Sequence, residues 1–172
     1  MDELVLVNIY DEEIGSGEKA AVHEKGLLHR AFSVFLVNDG KMLIQKRNIN
    51  KYHSGGLWTN ACCSHPRRGE QLMEAVHRRL VEELGFDCDV EELFSFMYRT
   101  AFSENLFEYE FDHVFLGSYD GPITLNEEEA SEIKWVALEE LKKDVVEHPE
   151  RYTSWFLIAL HRVIKHVEGR GV

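Results

Sequence analysis

Apolar runs of strand-like length predict a series of short β-strands along much of the chain. The runs at residues 31–37 and 42–46 are separated by Asn-Asp-Gly-Lys, a sequence that predicts a hairpin turn. A similar run at residues 4–10 predicts an opening strand, and an acidic, glycine-containing turn is expected after it as far as Gly17. The remaining strands are predicted at residues 94–101, 107–119 and 133–136.

Helical periodicity is clearest between residues 70 and 84. Five apolar side chains recur there at helical spacing: Leu72, Met73, Val76, Leu80 and Leu84. Gly85 then predicts the C-terminal end of this helix. Two further helices are predicted at residues 138–143 and 155–167, and a loop or short helix at residues 19–29. The polar segments that predict loops are residues 48–56 and 126–132.

This order of strands and helices predicts an α+β fold in which a mixed β-sheet is sandwiched between α-helices. The chain has 172 residues, of which 44% are hydrophobic and 29% charged, as expected for a globular protein with a substantial core. It contains no repeats, low-complexity segments or linkers. We therefore expect a single domain over residues 1–172.

Charge and targeting features narrow the possible partners and location. The formal net charge of −12 disfavours nucleic acid and anionic membranes, and no feature indicates an obligate protein partner. No apolar run approaches the roughly 18 residues that span a bilayer. The N-terminus lacks the basic and apolar regions of a signal peptide, so we expect a cytoplasmic protein. Three cysteines, two of them adjacent, fit a reducing compartment better than a disulfide framework.

Several basic residues of this acidic chain are concentrated in one segment. They are Arg47, Lys51, Arg67, Arg68, Arg78 and Arg79. An acidic protein that binds a phosphorylated ligand must concentrate positive charge locally. Phosphate binding is therefore one interpretation of this clustering, and ordinary solvated surface charge is the other.

Three histidines and two glutamates form a candidate metal site. Glu108 and Glu110 alternate along a predicted strand, so both side chains can point into one cavity. Two such carboxylates repel each other unless they are protonated or neutralised by a cation. His23, His29 and His65 would complete a site for a five- or six-coordinate divalent ion. The alternative is a solvent-facing glutamate pair and three unrelated surface histidines.

Cys63, two residues before His65, is a candidate reactive thiol. The thiolate is the reactive form of cysteine, and a neighbouring imidazole, metal ion or arginine lowers its pKa. The alternative is that Cys62 and Cys63 are small core residues, as free cysteines often are.

The segment from residue 64 to residue 86 resembles the Nudix box, Gly-x5-Glu-x7-Arg-Glu-U-x-Glu-Glu-x-Gly-U, in which U is a bulky aliphatic residue. Aligned on the last glycine, the matching positions are Glu70, Arg78, Leu80, Glu82, Glu83 and Gly85. Phe86 fills the last apolar position. Ser64 replaces the leading glycine, and Arg79 replaces a glutamate that is a metal ligand in Nudix hydrolases. The resemblance implies that the helix is kept and that hydrolysis is lost.

Other motifs occur in a fixed order between about Lys19 and Trp155, most of the chain. They are Leu28-His-Arg-Ala-Phe-Ser-Val-Phe-Leu, Arg47 with Lys51, Trp58-Thr-Asn-Ala-Cys-Cys-Ser-His-Pro, the imperfect Nudix helix, Glu108-Tyr-Glu110 and Ser154-Trp155. Together they resemble the type I isopentenyl-diphosphate Δ-isomerases of the Nudix superfamily. The most specific element is Thr-Asn-x-x-Cys-x-His-Pro.

This resemblance implies roles for individual residues. The catalytic residues would be Cys63, Glu110 and, beside Glu110, Tyr98. A site for manganese, magnesium or zinc would consist of His23, His29, His65, Glu108 and Glu110. A second magnesium ion, which bridges the protein and the substrate diphosphate, would be held by Glu83. Contacts to the diphosphate would come from Lys19, Arg47, Lys51 and Arg79. Trp155 would face the isoprenoid.

Two departures from the family pattern are visible in the sequence. His23 and His29 are one residue closer together than in some members. Gly55 stands where proline is expected in a Pro-Gly turn before Trp58.

The expected reaction is a 1,3 proton shift on a small isoprenoid diphosphate. Protonation of an alkene gives a tertiary carbocation, so an acid on one face, a base on the other and a pocket that excludes water are required. Cys63 and Glu110 could supply the two groups, and the π face of Trp155 could stabilise the cation. Two alternatives are a Nudix hydrolase, against which Arg79 argues, and a catalytically silent Nudix module that binds a metal or ligand.

Overall fold

The computed structural model describes residues 2–170, in which nine strands and four α-helices alternate. In chain order these elements are β1 (Glu3–Val7), β2 (Glu13–Glu18), α1 (Lys19–Lys25), β3 (His29–Asn38), β4 (Lys41–Arg47), β5 (Trp58–Thr59), β6 (Cys62–Ser64), α2 (Leu72–Leu84), β7 (Val90–Ser103), β8 (Leu106–Gly117), β9 (Ala130–Ala137), α3 (Leu138–Glu147) and α4 (Ser154–Gly169). A short 3₁₀ helix, Pro149–Arg151, connects α3 and α4.

Strand β3 is the centre of the sheet. It pairs antiparallel with β1, β4 and β6, and parallel with β8. In the parallel pairing His29 lies opposite Glu110, and in the pairing with β6 Ser33 lies opposite Cys63. The predicted mixed sheet is therefore confirmed, and its central strand brings distant segments of the chain to one place.

Alternation of side chains along β3 divides the core into two layers. Phe32, Val34 and Leu36 belong to the apolar cluster that contains the buried face of α2. Phe35 and Val37 belong to the opposite cluster, with residues of α3 and α4. Because helices cover both faces of the sheet, the predicted α/β/α sandwich is confirmed.

Helix α2 begins and ends at sequence signals. Gln71 and Glu74 form a capping box at its N-terminus, and Gly85 ends the helix with a left-handed φ of 73°. The helix buries Val76, Leu80 and Leu84, as predicted, whereas Met73 is exposed. The predicted apolar stripe is thus correct except at Met73, in the first turn of the helix.

Helix α4 closes the second layer and starts beside the candidate site. Thr153, which precedes it, makes a 2.8 Å hydrogen bond with the hydroxyl of Thr59. Its first buried residues are Trp155 and Phe156. Within residues 2–170, none of the helices combines the length and apolar character required to cross a membrane.

Two segments predicted as turn or loop contain strands. The acidic segment before Gly17 includes most of β2, a largely exposed strand that is held by its pairing with β1. The predicted loop at residues 126–132 includes the start of β9, because β9 pairs with β4 as far as Ala130. The two- and three-residue strands β5 and β6 were also not predicted. Strands β2, β5 and β6 and the start of β9 are held by pairing with a partner strand rather than indicated by an apolar pattern of their own.

Candidate active site

The candidate metal ligands converge from four parts of the fold. His23 lies on α1, His29 begins β3, and His65 directly follows β6. Glu108 and Glu110 are on β8, where both are buried, as alternation along the strand predicts. The parallel pairing of β3 with β8 brings His29 beside the strand that carries Glu108 and Glu110.

Short contacts join all five side chains. His23 Nε2 lies 2.9 Å and His29 Nε2 lies 3.1 Å from Glu108 Oε1. His29 Nε2 also lies 3.4 Å and His65 Nε2 lies 2.7 Å from Glu110 Oε2. The structure therefore brings together every residue of the predicted metal set, including His23 despite its shorter spacing from His29.

Backbone carbonyls fix the orientation of two imidazoles. His23 donates its Nδ1 proton to the carbonyl of Lys19 at 2.6 Å, and His29 donates to the carbonyl of Leu27 at 2.9 Å. These bonds turn both Nε2 atoms toward the carboxylates, which is the common arrangement of metal-binding histidines.

One ligand atom from each of His23, His29, His65 and Glu108 lies within 4.8 Å of the others. His29 Nε2 is buried, and its contacts to Glu108 and Glu110 at 3.1 Å and 3.4 Å lack hydrogen-bond geometry, so within the described part of the chain it has no hydrogen-bond partner. Imidazole nitrogens and carboxylate oxygens together suit manganese, zinc or magnesium, so these residues fit a divalent ion.

The electrostatics of the cluster reflect its burial. Burial lowers the pKa of His29, but the nearby carboxylates of Glu108 and Glu110 outweigh this effect and raise its pKa to about 10. Burial raises the pKa of Glu108, yet hydrogen bonds from the surrounding imidazoles hold it well below 4.5. The carboxylate and a protonated imidazole thus neutralise each other at a place where a cation would also fit.

Tyr98 lies beside Glu110, as expected. It is opposite Glu110 in the pairing of β7 with β8, and its hydroxyl donates a short hydrogen bond to Glu110 Oε1. Burial, together with the two glutamates, raises the pKa of Tyr98 well above 10, so the hydroxyl stays protonated. One oxygen of Glu110 therefore contacts His29 and His65, and the other accepts a hydrogen bond from Tyr98.

The two adjacent cysteines face opposite sides of β6. Cys62 is fully buried in the apolar cluster under α2, whereas Cys63 is partly exposed and lines the cavity. Burial raises the pKa of Cys63 to about 12, although Arg47 acts in the opposite direction. Cys62 is thus the core residue and Cys63 the available thiol, which is a protonated group at neutral pH.

A cavity of about 270 Å³ joins the cluster to the basic residues. Its lining includes the predicted diphosphate ligands Lys19, Arg47, Lys51 and Arg79. The same cavity is lined by Cys63, Glu83, Glu110 and Trp155. The structure therefore places thiol, carboxylates, cations and indole around one space.

Without a bound ligand, the basic residues of the cavity form ion pairs with glutamates of the protein. Arg79 contacts Glu83 at 2.6 Å and Glu129 at 3.1 Å, and Lys51 contacts the other oxygen of Glu129 at 2.5 Å. The Nε atoms of Arg47 and Arg79 are buried and have no hydrogen-bond partner within residues 2–170. These N–H groups are suited to oxygen acceptors of a bound anion.

The loop before β5 explains one departure from the family pattern. A Cβ atom added to Gly55 would lie 2.5 Å from the carbonyl oxygen of Ile49. The backbone approaches itself so closely here that only glycine fits this loop without movement. Glycine at position 55 is therefore required by the backbone of this loop itself.

The same loop supplies two site residues that the sequence did not indicate. His53 Nε2 lies 2.8 Å from Glu108 Oε2, and the Tyr52 hydroxyl lies 2.9 Å from His23 Nε2. Glu129, within a predicted acidic loop, was missed in the same way. None of the three belongs to a periodic segment or a motif, so only the folded structure identifies them.

Comparison with known proteins agrees with this architecture. A model of the NUDIX domain matches residues 27–156. A solved structure from Deinococcus radiodurans superimposes with a TM-score of 0.75, covering 96% of this chain and 98% of that one at 23% identity. A MutT NUDIX hydrolase from Burkholderia pseudomallei gives a TM-score of 0.65 at 22% identity, over 79% of this chain and 98% of that one. The fold is that of a NUDIX protein.

Curated relatives define the family within this class. Isopentenyl-diphosphate Delta-isomerase 2 of Aromatoleum aromaticum is 49% identical over 99% of this chain and 92% of that protein. Isopentenyl-diphosphate Delta-isomerase 2 of Photorhabdus laumondii is 53% identical over 91% of this chain and 89% of that protein. The chain belongs to the isopentenyl-diphosphate Delta-isomerase family, as its motifs predicted.

Proposed function

We propose that the protein interconverts isopentenyl diphosphate and dimethylallyl diphosphate and so feeds isoprenoid biosynthesis. The observation that carries this proposal is the single cavity shared by Cys63, Glu110 and Trp155. A thiol, a carboxylate and an aromatic face around one space are the groups that a proton shift through a carbocation requires. Relatives at 49% and 53% identity bear the name of this isomerase, which supports the same conclusion.

We propose that the proton donor and acceptor are Cys63 and Glu110, with Tyr98 holding Glu110. Protonation of the terminal alkene carbon leaves a positive charge on the tertiary carbon, and loss of a proton from the neighbouring CH₂ group forms the new double bond. One group gives a proton and the other removes one, so the substrate keeps its composition. The raised pKa of Cys63, about 12, favours the protonated thiol as the resting form.

Trp155 is proposed to face the cation. It is buried, and its ring centroid lies 6.3 Å from that of Tyr98, beside the Glu110 acid/base group. A desolvated cation over an indole gains roughly 2 kcal/mol. The guanidinium carbon of Arg47 lies 5.2 Å from the Trp155 ring centroid. Arg47 also lines the cavity, where it is a proposed ligand of the diphosphate.

The residues proposed to hold a manganese, magnesium or zinc ion are His23, His29, His65, Glu108 and Glu110. Such an ion supplies positive charge that keeps two neighbouring carboxylates ionised and in place. Glu83, buried and raised in pKa by that burial, is proposed as the protein ligand of a magnesium ion on the diphosphate. The diphosphate itself would exchange places with the carboxylates now bound by Lys51 and Arg79.

A cytoplasmic location and a single domain stay predictions from the sequence. Cys62, Cys63 and Cys88 are all free thiols, which supports a reducing compartment. Cell fractionation with an antibody to the protein would test the location, and limited proteolysis would test the domain organisation. Recovery in a membrane or secreted fraction would contradict the first.

The proposed function is tested by incubating the protein with isopentenyl diphosphate and Mg²⁺. Dimethylallyl diphosphate as the product is the expected result. Release of phosphate or of a monophosphate would overturn the proposal in favour of a NUDIX hydrolase. Binding of substrate without any product would instead indicate a catalytically silent module.

A further inference from the structure

His53 makes a contact to the candidate metal site that no motif assigns. Its side chain is buried, and its Nε2 atom lies 2.8 Å from Glu108 Oε2. His23 and His29 approach the other oxygen, Oε1, of the same carboxylate. Glu108 is therefore held between two groups of imidazoles, one on each oxygen.

The His53 ring is fixed in place from several directions. It stacks on Phe102 with a centroid distance of 4.4 Å and an interplanar angle of 10°, and it meets Trp155 edge-on at 6.0 Å. Its Nδ1 atom lies 3.2 Å from the Ser54 hydroxyl. With Nδ1 accepting a hydrogen bond from Ser54, Nε2 carries the ring proton and donates a hydrogen bond to Glu108.

His53 lies outside the tightest group of potential ligands, as Glu110 also does, so its role is inferred from the oxygen of Glu108 that it contacts. The four ligand atoms that lie within 4.8 Å of one another come from His23, His29, His65 and Glu108. His53 reaches the carboxylate oxygen that points away from His23 and His29. Its geometry is that of a donor that fixes a ligand, an outer contact on which metal sites depend.

We infer that His53 is a positioning residue that fixes the Glu108 carboxylate for the divalent ion. This inference rests on the metal site proposed above and adds to it the loop between β4 and β5. The backbone carbonyl of His53 also accepts a 3.4 Å hydrogen bond from Arg47, a proposed diphosphate ligand. His53 thus connects Glu108, a proposed ligand of the ion, with Arg47, a proposed ligand of the diphosphate.

The test measures Mn²⁺ affinity without substrate, by competition with a coloured chelator. We expect His53→Leu to weaken Mn²⁺ binding about 10- to 100-fold. His53→Gln, whose amide can place an N–H near the position of Nε2, should retain most of the affinity. His53→Ala provides the same comparison as the leucine variant if that variant does not fold, and thermal unfolding with EDTA present establishes folding of each protein.

His113 provides a matched control on the same strand as Glu108. It is similarly buried and contacts the carboxylates of Asp11 and Glu92, where His53 contacts that of Glu108, but it does not line the cavity. We expect His113→Leu to bind Mn²⁺ as the wild-type protein does.

Different results would overturn different conclusions. Wild-type affinity in both His53→Leu and His53→Ala would overturn the positioning role. Equal loss in His53→Gln and His53→Leu would do the same, because a direct ligand is not replaced by an amide donor. If the wild-type protein itself bound no Mn²⁺, the proposed metal site would fail, whatever the variants did.

Discussion

The two sides of the cavity use similar charged residues but are built differently. On the cluster side, His29, Glu108 and Glu110 are buried and come from paired strands far apart in sequence. On the helix side, Arg79 and Glu83 lie one turn apart on α2. Glu108 is contacted by three imidazoles, whereas Arg79 and Lys51 also pair with Glu129, a partly exposed carboxylate that a bound anion can replace. The first side is suited to hold a fixed ion, and the second to exchange a ligand.

The largest expected effect comes from Glu110→Gln on the cluster side. Loss of the carboxylate removes a proposed acid/base group and a proposed metal ligand, so we expect kcat to fall by about 10²- to 10⁴-fold. Glu82→Gln is the control on the helix side, since Glu82 is exposed and, among residues 2–170, pairs only with Arg78 and Arg79. Steady-state kinetics of both variants decide the comparison. Comparable losses in the two would show that the sides do not differ as described.

Cys63→Ala and Cys62→Ala compare two neighbouring thiols, one in the cavity and one in the core. We expect Cys63→Ala to lower kcat about 100-fold or more, because it removes a proton-transfer group. Cys62→Ala should keep most of the activity and lose only stability, since Cys62 is enclosed by apolar residues under α2. Kinetics and urea unfolding measure the two effects. Loss of turnover in both variants, or in neither, would mean that Cys63 is not the acting thiol.

Arg79→Gln sharpens the comparison from the helix side. A charged hydrogen bond contributes about 1.5–3 kcal/mol, so we expect KM to rise roughly 10- to 100-fold while kcat changes much less. The neighbouring Arg78 also lines the cavity, but its guanidinium is held by Glu70 at 2.6 Å and by Glu82 at 3.2 Å. Arg78→Gln should leave KM unchanged and reduce the free energy of unfolding by no more than about 1 kcal/mol. An equal rise in KM for both would assign the effect to general charge rather than to Arg79.

The smallest effect is a dependence of stability on pH. Burial raises the pKa of Cys63 from 9.0 to about 12 in the folded protein. The unfolded chain releases this proton first, so the contribution is complete below about pH 9 and is lost toward pH 12, at about 1.4 kcal/mol per pH unit. Urea unfolding with EDTA between about pH 8 and pH 10 measures the decline. Cys63→Ala should decline less steeply, and an identical slope would contradict the assignment.

Most of the fold could be predicted because strong patterns produce its central elements. The run of apolar residues in β3 and the capped, periodic helix α2 both depend on local sequence. Strands β2, β5 and β6 were missed because their hydrogen bonds come from partner strands and their own side chains show no repeating pattern.

The sequence predicted those residues of the candidate site that belong to a motif. It missed those that reach the site only through the folding of irregular segments. His65 and Glu110 stand in recognisable motifs, and the structure brings both into one cluster. His53 and Glu129 lie in irregular segments, and their positions depend on how these segments fold against β8 and α2. The roles of all these residues stay predictions until the variants are measured.

The parallel pairing of β3 with β8 also affects how the protein folds. His23 and Glu108 are 85 residues apart in the chain, and His65 and Glu110 are 45 apart. Contacts between residues this far apart are absent from the unfolded chain and slow folding, because a long loop must close before they form. An ion that binds the cluster therefore binds only the native state and stabilises it by about 2.7 kcal/mol at 100 times its Kd. The melting temperature should then rise with ion concentration, because the bound ion would cross-link segments that are far apart in the chain.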